Sequence, residues 1–345
     1  MVSNYMRSWL ELPVNGTLKI TTLSKSKYGQ NFINISTRFT QCQPTFRKAL
    51  KNSTNKNINK LYQVTNKGTN IVTDSYLSTR DAIKKIRSRT ETEINEKLES
   101  QSLVIKSIWE QGCTKYNSSW CKVLDSLPKN LYSFVIRYLS NSLNNGTNAV
   151  KWGIASSAKC IFCDGNQTLQ HVVSACNFSL TGGRWNWRHD SILINISRMI
   201  SKVPGVTVYC DVDDTEFHSP SVITGDRERP DIVVIKEREC TILELTVGFE
   251  TNMMKNSERK RKKYANLIER LESDYNVTYY DLSMGGIGAI SKDSMNMIDM
   301  FQKLGLSKEE STYLMRKVIN VCIRSTYYIF CQRNKEWESP SLLYW

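Results

Sequence analysis

Four residues near the middle of the chain have the spacing of metal ligands. The segment CIFCDGNQTLQHVVSAC has the pattern Cys-x2-Cys-x7-His-x4-Cys and contains Cys160, Cys163, His171 and Cys176. Three thiolates and one imidazole at this spacing are typical of a closed, tetrahedral, structural zinc site. The alternative is a set of small buried cysteines beside a core histidine. The spacing favours zinc, which would stabilise a module too short to fold on its own apolar core.

The stretch that follows these ligands alternates cations with aromatic rings. In RWNWRHD these side chains belong to Arg184, Trp185, Trp187 and Arg188. They can stack on bases and pair with phosphates. They can equally pack the zinc module onto the next domain. The sequence leaves both alternatives open.

Positive charge is concentrated in the first half of the chain. The net charge is +14 over 345 residues; residues 1–150 hold 22 Lys and Arg against 9 Asp and Glu, whereas residues 151–345 hold 25 against 24. This imbalance exceeds what solubility requires. It predicts a polyanionic partner for the first half, and nucleic acid is the first candidate.

Length and composition predict an intracellular, globular protein. The chain is long enough for two domains with real cores, and 40% of its residues are hydrophobic. No apolar run reaches the roughly 18 residues that a membrane span needs. The N-terminal sequence lacks a secretory apolar segment, and the ten cysteines have no disulfide framework.

Periodicity predicts a mixed α/β domain after residue 190. In the first half we expect short alternating stretches over 1–70 and helices over about 81–112 and 128–143. After residue 190 the pattern predicts a helix with Asp190 as its N-cap. Three strands follow, in GVTVYC, DIVVIK and CTILELTV. After them come a helix in SERKRKKYANLIERLESD, a fourth strand in VTYYDLS and two more helices over 291–304 and 308–325. This order is typical of an α/β domain with a mixed sheet.

Two carboxylates interrupt the strand-like segment RPDIVVIKERECTILELTVGFE. Asp231 lies at the start of one predicted strand and Glu244 inside the next. A buried carboxylate needs a partner or a metal, and two oxygen ligands at one end of a hairpin suit Mg²⁺. Such a metal can activate water and steady a phosphate, as a nuclease requires. The alternative is a pair of exposed charges at strand ends.

A nuclease of this kind also needs an amine near the acids. The position two residues after the second acid is Thr246, which has none. The next helix contains RKRKK, where Lys260 and Tyr264 share a face and Lys263 lies beside them. We expect Lys260 to be the catalytic lysine and Lys263 its rival, with Lys262 on the DNA backbone.

The order of these motifs resembles the C-terminal part of non-LTR retrotransposon proteins that carry a restriction-like endonuclease. The zinc motif, RWNWRHD, RPD-x12-E and the lysine-rich helix ending KKYANL follow one another as in that family. The resemblance covers about residues 145–285 and, more loosely, 1–145. It implies a fold like PD-(D/E)xK nucleases, with the lysine displaced to the helix after the second acid. That second acid is Glu here, where the family has Asp.

The resemblance also implies a domain organisation. It comprises a basic, largely helical connector over 1–145, a CCHC zinc module with the Arg/Trp segment over 146–190, and a restriction-like endonuclease domain with appended C-terminal helices over 191–345. The zinc ligands are then Cys160, Cys163, His171 and Cys176, and the Mg²⁺ ligands are Asp231 and Glu244.

The implied activity is a Mg²⁺-dependent DNA endonuclease that nicks chromosomal target DNA in the nucleus to prime reverse transcription. Its partners would be target DNA, element RNA and an upstream reverse transcriptase domain, without a membrane. YCDVDD is spaced wrongly for a polymerase signature, so we expect a fragment or truncated copy without polymerase activity. The alternative is a non-catalytic nucleic-acid-binding protein, a decayed or repurposed copy.

Overall fold

The chain divides into two units, each described here by itself. The computed structural model describes residues 2–343 except Asn15, 66–77, Thr114, Asp226 and Met295. The helical unit is Thr17–Gln101, and the main unit consists of Met1–Gly16 and Ser102–Trp345. Residues 146–190, which contain the four possible zinc ligands, belong to the same unit as the sheet; we call them the zinc segment.

In the helical unit, the described part of residues 17–70 forms helices where the sequence suggested alternating stretches. The side chain of Asn34 accepts a hydrogen bond from the Thr37 N–H (3.2 Å) and caps the first long helix. The α-helices of this unit are α2 (Lys19–Thr22), α3 (Ile35–Lys51), α4 (Lys56–Thr65) and α5 (Thr79–Gln101), and α3 packs against both α4 and α5.

The helix expected over 81–112 is two helices, and Ser102 separates them. The Ser102 side chain accepts from the Ile105 N–H (3.3 Å) and donates to the Leu139 carbonyl (2.5 Å), so it caps a new helix. The first helices of the main unit are α1 (Val2–Trp9), α6 (Leu103–Glu110), α7 (Asn117–Ser126), α8 (Lys129–Leu139) and α9 (Gly146–Lys151).

The helix predicted to begin after Asp190 starts at Arg184, six residues before Asp190 itself. A π-helical turn (His171–Ala175) and α10 (Asn177–Thr181) precede α11 (Arg184–Ile200). Gly183 directly precedes α11 and has a left-handed φ of 76°, which glycine adopts without steric cost. The Asp190 N-cap prediction is therefore wrong, because the buried face of the helix already includes Trp187 and Arg188.

The predicted strands form one four-stranded mixed sheet, so the protein is a mixed α/β protein. The order is β1 (Thr207–Cys210), β2 (Ile232–Lys236), β3 (Glu239–Gly248) and β4 (Asn276–Gly285), with a short α12 (Ser221–Thr224) between β1 and β2. β1–β2 and β2–β3 are antiparallel, and β3–β4 is parallel.

The lysine-rich segment crosses from β3 to β4 as two helices, not one. α13 (Met253–Lys263) and α14 (Ala265–Leu271) meet at Tyr264. Tyr264 is fully buried and packs with Val233, Ile242 and Leu267 in one apolar cluster, so α14 and the sheet share a core. The two last helices are α15 (Met297–Lys303) and α16 (Lys308–Cys331), the latter longer than expected.

Among the described residues, no helix is both long enough and apolar enough to cross a membrane.

Candidate metal and catalytic sites

The four predicted zinc ligands come together in the main unit. The ligand atoms of Cys160, Cys163, His171 and Cys176 all lie within 4.8 Å of one another. Cys163 Sγ lies 3.4 Å from His171 Nε2 and 3.9 Å from Cys176 Sγ. Tetrahedral ligands at zinc distances are separated by roughly 3.3–3.8 Å. This Cys3His group could therefore bind zinc.

A tight turn places the first two cysteines. The Cys160 N–H donates to the Gly165 carbonyl (2.9 Å), which closes the loop that carries Cys163. A Cβ at position 165 would lie 2.8 Å from His171 Cε1, so the turn can approach the imidazole this closely only with glycine. The π-helical turn, which begins at His171, then leads directly to Cys176.

The Arg/Trp segment is packed inside the main unit. Arg184, Trp187 and Arg188 are 1%, 4% and 0% exposed, and Trp185 is half-buried. Arg184 donates to the carbonyls of residues 332 and 335, which follow α16. Buried side chains that hydrogen-bond to the main chain cannot stack on bases in this conformation. The structure buries Arg184, Trp187 and Arg188, as the packing alternative expects.

Arg188 joins three parts of the main unit. Its guanidinium donates to the carbonyls of Val173 (3.0 Å) and Val247 (3.1 Å) and to Thr326 Oγ1 (3.2 Å). These acceptors belong to the π-helical turn, to β3 and to α16. The zinc segment is thereby connected directly to the strand that carries Glu244.

Asp231 and Glu244 lie side by side where β2 begins. The register pairs Ile232 with Leu243, which leaves the two acids as the next neighbours. The Asp231 N–H donates to Glu244 Oε1 (3.0 Å), and the Leu245 N–H donates to Asp231 Oδ2 (2.7 Å). Asp231 is 8% and Glu244 0% exposed. The alternative of exposed strand-end charges is therefore wrong.

The two acids have opposite pKa shifts. Burial acts to raise the pKa of Asp231, but the positive charges of His189 and Lys260 lower it below its usual value. Burial and the neighbouring Asp231 raise the pKa of Glu244. Burial opposes the charged form of His189, but Asp231 and Asp190 raise its pKa to about 10. The acid pair thus carries a negative charge that nearby cations stabilise.

The two candidate lysines have different environments. Lys260 Nζ forms an ion pair with Glu244 and lies 3.5 Å from Asp231 Oδ2. Lys263 Nζ donates to Tyr264 Oη (2.8 Å) and lies 4.5 Å from the centre of that ring. Only Lys260 of this pair contacts the acids, as expected from its position in the helix.

Lys262 and Thr246 have the surroundings that the sequence suggested for them. Lys262 is exposed, so its side chain is accessible to a nucleic acid. Thr246 is half-buried, and within the described part of the chain its hydroxyl meets no hydrogen-bond partner.

Sequence reasoning missed His189. Its Nε2 lies 3.2 Å from Asp231 Oδ2 and 3.3 Å from the Leu245 carbonyl, and its Nδ1 lies 3.1 Å from Asp190 Oδ1. The available signal was that only three histidines occur in the chain and that one of them directly follows the Arg/Trp residues. Nothing local to His189 indicates that it contacts Asp231, the residue just before β2.

Asp281, also missed, extends the acid pair to a third strand. The β3–β4 register pairs Glu244 with Asp281, so the two side chains project from the same face. Asp281 is 5% exposed, burial raises its pKa, and neither of its oxygens makes a well-formed hydrogen bond to any described residue. Asp281 thus places a third buried carboxylate beside Glu244, on the neighbouring strand.

No family model matches the sequence, and no curated protein matches it.

Proposed function

We propose that this chain is the Mg²⁺-dependent DNA endonuclease part of a non-LTR retrotransposon protein, and that it nicks target DNA to prime reverse transcription. The proposal joins the motif resemblance to the arrangement of the acids and the lysine. Its fold would be of the PD-(D/E)xK type, and its site of action on chromosomal DNA would be the nucleus. The reverse transcriptase would lie upstream in a full-length relative, and element RNA would be a second partner.

One observation carries the proposal: Lys260, from the helix after β3, contacts both Glu244 and Asp231. Two buried acids on adjacent strands and an amine from the crossover helix are the groups that hydrolysis of a phosphodiester needs. Because burying the two acids and the amine together is costly, their arrangement is hard to explain by chance. This is the arrangement that the displaced-lysine resemblance implies.

The residues have separate roles in this mechanism. Asp231 and Glu244 would hold Mg²⁺, which when bound lowers the pKa of a water and stabilises the charge on the phosphate. Lys260 would orient the attacking water or neutralise charge that develops on the phosphate. Lys263 donates to Tyr264 and does not contact the acids. Lys262 would contact the DNA backbone.

The Cys3His group would hold a structural zinc ion. All four ligand positions are supplied by the protein, so no coordination site remains for a substrate. Through Arg188, which donates to Val173 and Val247, the zinc segment supports β3 and its Glu244.

The direct test is a nicking assay on supercoiled plasmid. The wild-type protein is expected to convert supercoiled to open-circular DNA with Mg²⁺ and not with EDTA. Asp231→Ala removes one oxygen ligand and is expected to abolish nicking. If the wild-type protein binds the plasmid but does not nick it under any Mg²⁺ concentration, the endonuclease proposal is wrong.

The second candidate function is non-catalytic nucleic-acid binding, and the charge of the helical unit favours it. Residues 17–101 hold 16 Lys and Arg against 6 Asp and Glu, so most of the net charge of the chain lies in this unit. On α3, Phe39 and Phe46 are 64% and 58% exposed and lie near the exposed Arg38 and Lys48. Exposed rings among cations are typical of single-stranded nucleic-acid surfaces.

Reversing three exposed charges on α3 should therefore weaken nucleic-acid binding. We expect the triple variant Arg38→Glu, Lys48→Glu, Lys51→Glu to bind DNA and RNA more weakly at low salt. Each phosphate contact that is lost reduces the number of counterions that binding releases. The slope of log K against log salt should therefore become shallower by roughly 2–3. Fluorescence anisotropy over a salt series measures both quantities.

The matched control reverses three exposed lysines of the main unit, Lys202, Lys303 and Lys308. It makes the same change in net charge. Equal losses in the two triple variants would mean that net charge alone, and not α3, is responsible for binding.

A further inference from the structure

The Asp231 side chain is held at one of its two oxygens. Oδ2 accepts from the Leu245 N–H at 2.7 Å and lies 3.2 Å from His189 Nε2. Lys260 Nζ approaches the same oxygen at 3.5 Å. A carboxylate fixed through one oxygen presents the other in a defined direction, which is what an ordered metal ligand requires.

The surroundings of His189 define which ring nitrogen donates. Nε2 faces both Asp231 Oδ2 and the Leu245 carbonyl, at 3.2 and 3.3 Å. A main-chain carbonyl can only accept, so Nε2 carries a proton and donates. Nδ1 lies 3.1 Å from Asp190 Oδ1, a contact that orients the other side of the ring.

The position of His189 is set by its neighbour in sequence. Arg188 is fully buried and hydrogen-bonds to Val247 of β3 and Thr326 of α16. The main chain at His189 is therefore anchored to the same strand that carries Glu244. A side chain on such an anchored helix loses little freedom when it forms its hydrogen bond.

We propose that His189 is a positioning residue that holds Asp231 through Oδ2 and so leaves Oδ1 directed at the metal. Asp190 keeps the imidazole in the orientation that makes this possible. The inference rests on the proposed Mg²⁺-dependent nuclease, to which it adds the residue that orders the first metal ligand. His189 itself touches neither the substrate nor the metal.

Two amide substitutions separate this role from simple packing. The amide nitrogen of His189→Gln can reach the place of Nε2 and donate to Asp231, whereas that of His189→Asn reaches only the place of Nδ1. We expect His189→Gln to keep Mg²⁺ affinity and nicking near the wild-type level. His189→Asn should lower Mg²⁺ affinity, measured by calorimetry, by about 10-fold or more. A purely structural role would affect the two variants alike.

The control is His218→Asn, because His218 is exposed. If wild type nicks and His189→Asn matches His218→Asn in Mg²⁺ affinity and rate, the positioning role is wrong and the nuclease proposal stands. Tighter Mg²⁺ binding in His189→Asn would also overturn it, because His189 would then act by repelling the metal.

A metal-free measurement distinguishes failure of the nuclease proposal. With only three histidines in the chain, ¹⁵N-histidine labelling gives a simple NMR spectrum. We expect one slowly exchanging Nε2–H resonance, assigned through His189→Gln and lost or strongly shifted in Asp231→Asn. If the wild-type protein neither binds Mg²⁺ nor nicks DNA, the nuclease proposal is wrong. The role of His189 in positioning a metal ligand is then wrong too, even if the resonance shows the contact with Asp231. If the resonance is absent, the contact is wrong.

Discussion

Replacing Lys260 with alanine is expected to abolish nicking while DNA affinity stays nearly unchanged. Lys260 contacts both acids. Removing one preorganised group that stabilises transition-state charge costs about 10²–10³-fold in rate. The measurement is the nicking rate at saturating DNA, which separates catalysis from binding.

Two neighbouring lysines serve as controls for this prediction. Lys263→Ala removes a contact with Tyr264 and should leave the rate within a few-fold of wild type. Lys262→Ala removes an exposed charge and should mainly weaken DNA binding. An inactive Lys263→Ala with an active Lys260→Ala would show that the wrong lysine has been assigned. If neither substitution changes the rate, the displaced-lysine mechanism is wrong.

Loss of Lys260 also removes a cation that contacts two buried carboxylates. Its ammonium stabilises their charged forms, against the burial that opposes them. We therefore compare the thermal stability of Lys260→Ala with and without Mg²⁺. A folded variant that still binds Mg²⁺ but does not nick assigns the defect to catalysis.

Loss of zinc is expected to unfold the segment around residues 150–190. We expect one zinc ion per chain in the purified protein, and its loss in Cys160→Ser or Cys163→Ser. A small module of this kind folds on its metal, since structural zinc supplies much of the folding free energy. Metal analysis and hydrogen exchange of that segment measure the two effects.

The exposed Cys42 provides the control. Cys42→Ser should retain zinc and the exchange protection of 150–190. Because Val173, in the π-helical turn, accepts from Arg188, zinc loss should also lower protection in the first turns of α11. Purified wild-type protein without zinc would refute the prediction, and zinc loss without increased exchange would refute the structural role.

Much of the candidate site is predictable because its signals are local. Cys160, Cys163, His171 and Cys176 lie within one short segment, so their spacing alone indicates a common ligand. Asp231 and Glu244 belong to two apolar segments that a tight connection joins, and a hairpin brings such positions together. Lys260 follows from helical periodicity, which predicts the face that α13 turns toward the sheet.

For the Arg/Trp segment, the sequence did not decide between nucleic-acid binding and internal packing. Its alternation of cations and rings suits a nucleic acid and a buried contact equally well. The carbonyls that accept from Arg184 follow α16, far along the chain. Its burial therefore depends on a distant segment that no local pattern identifies.

The sequence by itself indicated the four possible zinc ligands, the strands in their order along the chain, the acid pair and two candidate lysines, because each depends on spacing within one segment, one hairpin or one helix. Only the tertiary structure decided that Arg188 is buried between the π-helical turn, β3 and α16. It also decided that His189 meets Asp231 and that Asp281 pairs with Glu244. These contacts join residues from separate segments, and the burial of a side chain and the register of a parallel strand pair are set by packing across the whole unit.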